Sequence, residues 1–325
     1  MFKTRITELF GIKYPIIQGA LGWGLSGAEL VSAVANAGGL GIMAALSYPT
    51  PKELREEIRK AKSMTDKPFA VNIALSPTIQ PVKREDYIAA AIEEDIGIIE
   101  TAARSPEPYM KMFKDAQVKV MHKVGSIKHA QAAERIGVDA VSIVGIEAAG
   151  HPVPDDVAGS ILIPACVDAV KIPVIAAGGI ADARGFVSAL ALGAEGVLMG
   201  TRFFASKECP AHPKIKERLL ELGETDTMII NRSINNMQRV IKTDLARKVL
   251  ELEEKGATLE EILPLIRGEK SRNASEKGDV NNAVITAGQV AGLIHNIPSV
   301  REIIESIINE AKVIVQRLNN QIASD

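Results

Sequence analysis

The stretch IPVIAAGGIADARGFVSALALGAEGVLMGTRF, residues 172–203, contains the unit from which the fold can be predicted. It has an apolar run, then a helical pattern, then a second apolar run. Asp182 stands where a helix N-cap is expected, and Gly193 stands where the helix should stop. Both apolar runs are hydrophobic on each face, which is typical of parallel strands covered by helices. The stretch therefore predicts a strand–helix–strand unit.

Similar units recur through the first 205 residues, and each contributes one short apolar run. The predicted strands are 15–18, 40–44, 69–75, 96–101, 118–124, 140–146, 173–179 and 196–201. Helical patterns fill the gaps between them, as in the segment that begins at Ser126 and stops at Gly137. Alternating units of this number predict an α/β protein with a (β/α)8 TIM barrel. A doubly wound sheet is the alternative, but the regularity of the units favours closure.

The pattern changes after Phe204. Residues 208–294 contain no clear strand and predict a helical cap inserted into the barrel, which comprises residues 1–207 and 295–325. Within the insertion, helices are predicted at 213–223, at 234–256 and from Thr258 onward, followed by a polar loop at 267–283. We expect the insertion to cover the mouth of the barrel. A long helix from Pro298 should pack back on the barrel through Ile303, Ile304, Ile307, Ile308, Ala311 and Val315.

The composition narrows the classes of function. Of the 325 residues, 46% are hydrophobic, 24% are charged and 4% are aromatic, and the formal net charge is −2. Such a balance argues against a nucleic-acid partner. Cys166 and Cys209 are too few for a disulfide framework, which suits a reducing compartment. Because we find neither a signal peptide nor an apolar run of about 18 residues, we expect a cytoplasmic protein without a membrane span. A homodimer is left open.

Glycines end the last two predicted strands. Gly178 and Gly179 follow the seventh strand, while Gly200 and Thr201 follow the eighth. Active sites of TIM barrels lie at these strand ends, and the last two loops are the usual phosphate site. Glycine lets backbone N–H groups approach an anion closely. The alternative is that the glycines only form tight turns, but two such ends in adjacent loops favour a phosphate site.

Two polar residues lie within otherwise apolar strands. Lys123, near the end of strand five, points to the opposite face from His122. We expect Lys123 to lie beside a cofactor ring or phosphate rather than to extend into solvent at the rim, and His122 to pack under a helix. Asn72 on strand three needs a hydrogen-bond partner if it is buried. Either a ligand or a neighbouring backbone group could supply that partner.

Strand six leads into GIEAAGHPVPDD, residues 145–156, where Glu147 and His151 emerge on one loop. An imidazole titrates near neutral pH and can act as an acid, a base or a hydrogen-bond donor. The alternative is a surface histidine without a role. Because the loop shares its mouth with the phosphate loops and Lys123, we predict that His151 is catalytic. No histidines or carboxylates have metal-ligand spacing on one helix face, and no nucleophile elbow occurs. We therefore predict no metal site.

Together these motifs resemble the nitronate monooxygenase family, formerly called 2-nitropropane dioxygenases. The resemblance covers nearly the whole chain. It includes PIIQGALGWG, VANAGGLG, VNIALSP, MHKVGSIKHAQAAERIGVDAVSI, GIEAAGHP, residues 172–203 and ITAGQVAGLIHNIPS. It implies a barrel that binds FMN, carries an inserted helical domain and needs no metal.

The resemblance also implies which residues hold the cofactor. Gly179, Gly200 and Thr201 would cradle the FMN phosphate, and Lys123 would lie near the flavin. We also include Asn72 and Gly178 among the cofactor contacts. Further contacts are implied for Ala20, Leu21, Gly22, Ala149, Gly150, Gly288 and Gln289.

One branch of the family, described as NAD(P)H:quinone reductases, is similar in finer detail. The shared features are AAGHPVPDD, SPTIQP at 76–81 and GLIHNIP. This likeness implies that Gln80 and His151 lie near a nicotinamide. The sequence departs from the branch at Leu21, where a methionine is frequent, and at Ala74, where a hydroxyl residue is frequent. Those two departures concern contacts to the flavin ring.

Three functions follow from these observations. The first is oxidation of alkyl nitronates with O2 to a carbonyl compound and nitrite. The second is an NAD(P)H:quinone reductase that uses the same FMN site, with FMN-dependent enoyl-acyl-carrier-protein reduction as a variant. The third is a flavin-binding barrel without catalytic activity, which the lid-like insertion disfavours because lids serve to exclude water from a reaction.

Overall fold

Eight parallel strands close into a barrel in the computed structural model, which describes residues 2–76, 83–152, 155–266 and 268–322. Each strand pairs with its neighbours in chain order, and the last pairs with the first. The (β/α)8 prediction is therefore confirmed. The strands are β1 (Ile16–Gln18), β2 (Leu40–Ala44), β3 (Ala70–Ala74), β4 (Ile98–Ala102), β5 (Lys119–Val124), β6 (Ala140–Val144), β7 (Val174–Ala177) and β8 (Gly196–Met199).

Helices precede, separate and follow the barrel strands. They are α1 (Arg5–Phe10), α2 (Ala28–Asn36), α3 (Pro51–Met64), α4 (Arg84–Glu93), α5 (Met110–Asp115), α6 (Ile127–Ile136), α7 (Gly159–Ala169), α8 (Ala183–Ala191) and α9 (Thr201–Phe204). Short 3-10 helices span Ala45–Ser47, Glu107–Tyr109 and Gln289–Leu293. The predicted caps are present, since the side chains of Ser126 and Asp182 accept hydrogen bonds from the first turns of α6 and α8.

The core has two layers because strand side chains alternate between the barrel interior and the surrounding helices. The interior cluster includes Ile42, Met121 and Ile175. Ile6 and Phe10 of α1 belong to the same cluster, so α1 closes the end at which the strands begin. The opposite end, where the strands finish, therefore has to hold any site that ligands reach.

The insertion differs from the prediction. It contains α10 (Pro213–Leu220), β9 (Thr227–Ile230), β10 (Gln238–Ile241), α11 (Asp244–Glu254), α12 (Leu259–Ile266) and α13 (Gly268–Glu276). The expectation of no strands was wrong, because β9 and β10 form an antiparallel pair. The helix predicted at 234–256 begins only at Asp244, and much of the loop predicted at 267–283 is α13.

The hairpin of β9 and β10 docks on the loop after β6. Backbone groups of Gly150 and Arg239 exchange hydrogen bonds of 3.2 and 2.6 Å. The guanidinium of Arg239 also donates to the carbonyl of Ile146 at 3.0 Å, and Arg232 pairs with Asp156 at 2.7 Å. These contacts hold the insertion against the end of the barrel where the strands finish.

The last helix, α14 (Val300–Asn320), packs on α8 and α2. Its predicted apolar face is buried at Ile303, Ile304, Ile307, Ile308 and Ala311. Val315 was expected in the same face but is 45% exposed. The contact with the barrel ends near Ile314, so the last turns of α14 extend past the helices that cover its first half.

Candidate active site

A cavity of about 1820 Å³ opens at the carboxyl ends of the barrel strands, between the βα loops and the insertion. Most of the residues predicted for the site line it. They are Ala20, Leu21, Gly22, Asn72, Lys123, Ala149, Gly150, His151, Gly178, Gly179, Gly200 and Thr201. Gln80 lies outside the described residues. The fold thus brings together side chains and backbone groups from several strand ends, as barrel enzymes require.

The turns after β7 and β8 present backbone groups to this cavity. Gly178 and Gly179 have φ values of +94° and +71°, which favour glycine. A Cβ at Gly178 would lie 3.1 Å from that of Ala148, so the turn is tightly packed. No described protein group accepts a hydrogen bond from the N–H of Gly179 or Gly200. Two N–H groups at neighbouring turns are therefore available to an anion.

Segment 286–290 closes this side of the cavity. The N–H of Gly288 donates to Oγ1 of Thr201 at 3.0 Å, and the next N–H donates to the carbonyl of Glu147 at 3.0 Å. A Cβ at Gly288 would lie only 2.7 Å from that carbonyl oxygen. Gln289 itself is exposed, and its neighbours Gly288 and Val290 line the cavity instead.

A buried carboxylate that sequence reasoning missed lies beneath the floor of the cavity, behind Asn72 and Lys123. Glu100 on β4 is fully buried. Its Oε2 accepts a hydrogen bond of 2.6 Å from Nδ2 of Asn72, and its Oε1 lies 3.3 Å from Nζ of Lys123. Asn72 is thus paired with a side chain rather than with a backbone group. The available signal was a single acidic residue within the apolar run at 96–101.

His151 lies on the loop after β6 and faces the cavity. His151 is exposed to the cavity, but the protein atoms around its imidazole replace part of the hydration of the charged form and lower its pKa from 6.5. A side-chain hydrogen bond with Asn236 acts in the opposite direction but does not outweigh this effect. At neutral pH the neutral form of the ring therefore predominates. Asn236 comes from the loop between β9 and β10, so the insertion contributes a polar group beside the histidine.

Glu147 has a structural role on the same loop. Its carboxylate oxygens accept hydrogen bonds of 3.0 and 3.1 Å from the N–H of Gly159, the first residue of α7. A negative group at a helix N-terminus stabilises both. Glu147 thereby fixes the loop that carries His151.

His122 is buried, as expected from its position opposite Lys123 on β5. Its Nδ1 lies 2.8 Å from the hydroxyl of Thr101 on β4. Burial lowers the pKa of His122 to about 4; the interaction with the backbone of Thr101 opposes this shift, and the nearby His129 and Lys123 reinforce it. The ring is neutral at physiological pH.

The family of this chain follows from comparison with known proteins. The model of the nitronate monooxygenase family matches residues 3–310. The chain belongs to the nitronate monooxygenase family. The resemblance seen in its motifs is thereby confirmed, and membership of this family makes the protein an oxidoreductase.

The chain matches several known proteins over almost the whole length of both partners in the comparison. The structure of FabK from Thermotoga maritima superposes with a TM-score of 0.93 at 38% identity, over 99% of this chain and 100% of that chain. A probable nitronate monooxygenase of Staphylococcus saprophyticus is 30% identical, over 97% of this chain and 99% of the relative.

A third relative has a different name. The (3aS,4S,5R,7aS)-5-hydroxy-7a-methyl-1-oxo-octahydro-1H-indene-4-carboxyl-CoA dehydrogenase of Mycobacterium tuberculosis is 34% identical, over 95% of this chain and 96% of the relative. Relatives of similar identity thus carry names of different reactions. The choice among those reactions has to come from the site.

The described residues also bear on other classes of protein. Among them, no helix is both long and apolar enough to cross a bilayer. No three His, Cys, Asp or Glu side chains in this part of the chain are grouped as ligands for a metal ion. The homodimer and the cytoplasmic location stay predictions from the sequence.

Proposed function

We propose that this protein is an FMN-dependent oxidoreductase. The observation that carries the proposal is the pair of unbonded N–H groups, at Gly179 and Gly200, in neighbouring turns beside a deep cavity. Such N–H groups suit a phosphate. The turns also fit it sterically, because Gly200 has only Leu21 within 4 Å of a built Cβ.

In this proposal the phosphate of FMN is held by Gly179, Gly200 and Thr201. The flavin ring lies toward Lys123 and the loop at Ala20–Gly22, which line the rest of the same cavity. FMN would supply the chemistry of accepting and returning a pair of electrons. The protein would supply position, a positive charge from Lys123 and a shell that excludes water.

Nitronate oxidation with O2, to a carbonyl compound and nitrite, is the first reaction we propose. A nitronate is already an anion, so it needs no strong base. The neutral imidazole of His151, beside Asn236, suits hydrogen bonding to such a group. The Staphylococcus saprophyticus relative carries the corresponding name. For neutral nitroalkanes, the same imidazole would serve as the general base.

The size of the cavity favours a second candidate, which is reduction of the cofactor by NAD(P)H. A volume of about 1820 Å³ exceeds the roughly 300–1,000 Å³ typical of a single ligand. FMN and a small nitronate would leave much of it unfilled, whereas a dinucleotide or a long acyl thioester would not. The reduced cofactor would then reduce a quinone or an enoyl thioester. The name of the Mycobacterium tuberculosis relative, a CoA dehydrogenase, is consistent with a large substrate.

One experiment separates these proposals. The protein is denatured and its supernatant is analysed, with FMN expected at about one per chain. FAD or no flavin would contradict the cofactor proposal. The intact protein is then mixed without oxygen with NADH, NADPH or ethyl nitronate while flavin absorbance is followed. Fast bleaching by the nitronate supports the first reaction, and fast bleaching by a nicotinamide supports the second.

A further inference from the structure

Glu100 is the residue of the site whose presence is hardest to explain by packing. It is fully buried in the barrel interior and does not itself line the cavity, although both of its partners do. Taking a carboxylate out of water costs several kcal/mol unless a positive charge and hydrogen bonds compensate. A glutamine could accept the same hydrogen bond from Asn72 without that cost.

A glutamine at position 100 could not, however, offset the positive charge of Lys123, which is the second partner of Glu100. Oε1 of Glu100 has no hydrogen bond of good geometry among the described residues and lies 3.3 Å from Nζ of Lys123. The lysine side chain is 27% exposed, toward the cavity. The carboxylate therefore restrains the ammonium group from behind and offsets part of its charge, while the ammonium faces the ligand.

We propose that Glu100 is a positioning residue that holds Lys123 at the floor of the cavity and sets how much positive charge the flavin experiences. This inference rests on the proposed binding of FMN. Reduction adds negative charge to the flavin, so a less compensated Lys123 favours the reduced cofactor. Charges a few ångströms apart in a partly buried site interact strongly enough to change such an equilibrium tenfold or more.

The test is the midpoint potential of bound FMN at pH 7 in four proteins: the wild type, Glu100→Gln, Lys123→Gln and the double variant. We expect Glu100→Gln to bind reduced FMN, relative to oxidised FMN, about tenfold more tightly than the wild type does. This raises the midpoint potential by ~30 mV for two electrons. Lys123→Gln should lower the ratio. The double variant should lie within about twofold of the wild type, which is ~9 mV.

The double variant keeps the test decisive if Glu100→Gln does not fold, because it leaves no buried charge unpaired. The midpoint potential of the double variant should then lie ~30 mV above that of Lys123→Gln, which corresponds to the same tenfold ratio. Glu195→Gln is the matched control. Glu195 pairs with Arg5 just before β8, at the closed end of the barrel, so its replacement should leave the potential unchanged.

Three results would overturn the inference. The first is an unchanged potential in Glu100→Gln, and the second is equal potentials in Lys123→Gln and the double variant. Either would reduce Glu100 to a structural role while FMN binding stood. A wild-type protein that binds no FMN would overturn the proposed function itself, and this inference with it.

Discussion

Gly179 allows a direct test of the phosphate site at the level of one residue. Replacing it with Asp puts a carboxylate beside the N–H groups that would bind the anion, so we expect FMN affinity to fall at least tenfold. A Cβ atom placed on residue 179 would lie 3.7 Å from the side chain of Glu147, so the change does not force a steric clash. Affinity is measured by adding FMN to the apoprotein and following flavin fluorescence.

Gly11→Asp is the control for backbone strain. Gly11 also has a positive φ, +66°, and no atom lies within 4 Å of its built Cβ. It follows α1 at the closed end of the barrel. This variant should bind FMN normally. Equal affinity in both variants would show that the phosphate binds elsewhere.

His151 should control reduction of the flavin rather than its binding. We expect His151→Ala to keep FMN and the fold but to slow flavin reduction by a neutral nitroalkane by ~10²–10⁴-fold. If the ring acts only as a base, the already deprotonated nitronate should react at the wild-type rate. Stopped-flow absorbance measures both rates. Unchanged rates with every reductant would mean that His151 is only a polar loop residue.

The pH dependence of this step follows from the direction of the pKa shift. Because the pKa of His151 is lowered from 6.5, its neutral form dominates above pH 6.5. The rate of reduction by neutral nitroalkanes should therefore fall in acid with a midpoint below pH 6.5, and level off as the pH rises above that midpoint. His151→Ala should lack this acid limb. A wild-type limb centred above pH 6.5 would contradict the assignment.

At the level of elements, the hairpin of β9 and β10 positions one wall of the site. Arg239→Met removes the bond from the guanidinium to Ile146, and a bond from a charged donor contributes about 1.5–3 kcal/mol. We expect faster thermolysin cleavage within residues 208–294 and about tenfold weaker FMN binding. Arg218→Met is the control, because within the described part of the chain the guanidinium of this α10 residue pairs with Glu221 alone, just after the helix ends. Equal cleavage of the two variants would refute a role for the hairpin as a cap.

The hairpin and α13 are the elements that local sequence patterns did not predict. The strands of the hairpin have four residues each, too few for a period of two to stand out from helical spacing. A signal was present at Asn231 and Asn235, which adopt positive φ, as asparagine does in turns. The segment of α13 has no hydrophobic residue except one alanine and so no apolar period to indicate a helix, but Ala274 packs on the main core and Gly278 follows the helix with a φ of +68°.

At the level of the whole molecule, His122 should couple stability to pH. The pKa of His122 is about 4 in the folded protein and near 6.5 when unfolded, so between these values the unfolded chain binds more protons. The free energy of unfolding should therefore fall as the pH is lowered from 6.5 to 4, by up to about 3 kcal/mol. Urea unfolding of the apoprotein at pH 7.5 and 4.5 measures the loss.

His122→Asn isolates this contribution, because it removes the titrating group while an amide can still bond to Thr101. The variant should be less sensitive to acid than the wild type over the same range. His151, whose pKa is also lowered, is retained in both proteins and cancels in the comparison. An acid sensitivity equal to that of the wild type would show that His122 is not the buried group responsible.

The sequence by itself determined the barrel, the helix caps at Ser126 and Asp182, and the glycine turns after β7 and β8. These features depend on residues close together in the chain, so each leaves a local signal of period, cap or turn. Tertiary structure alone decided that Glu100 meets Lys123, that Asn236 reaches His151 and that β9 pairs with β10. Such contacts depend on strand register and loop path, neither of which leaves a periodic trace in the sequence.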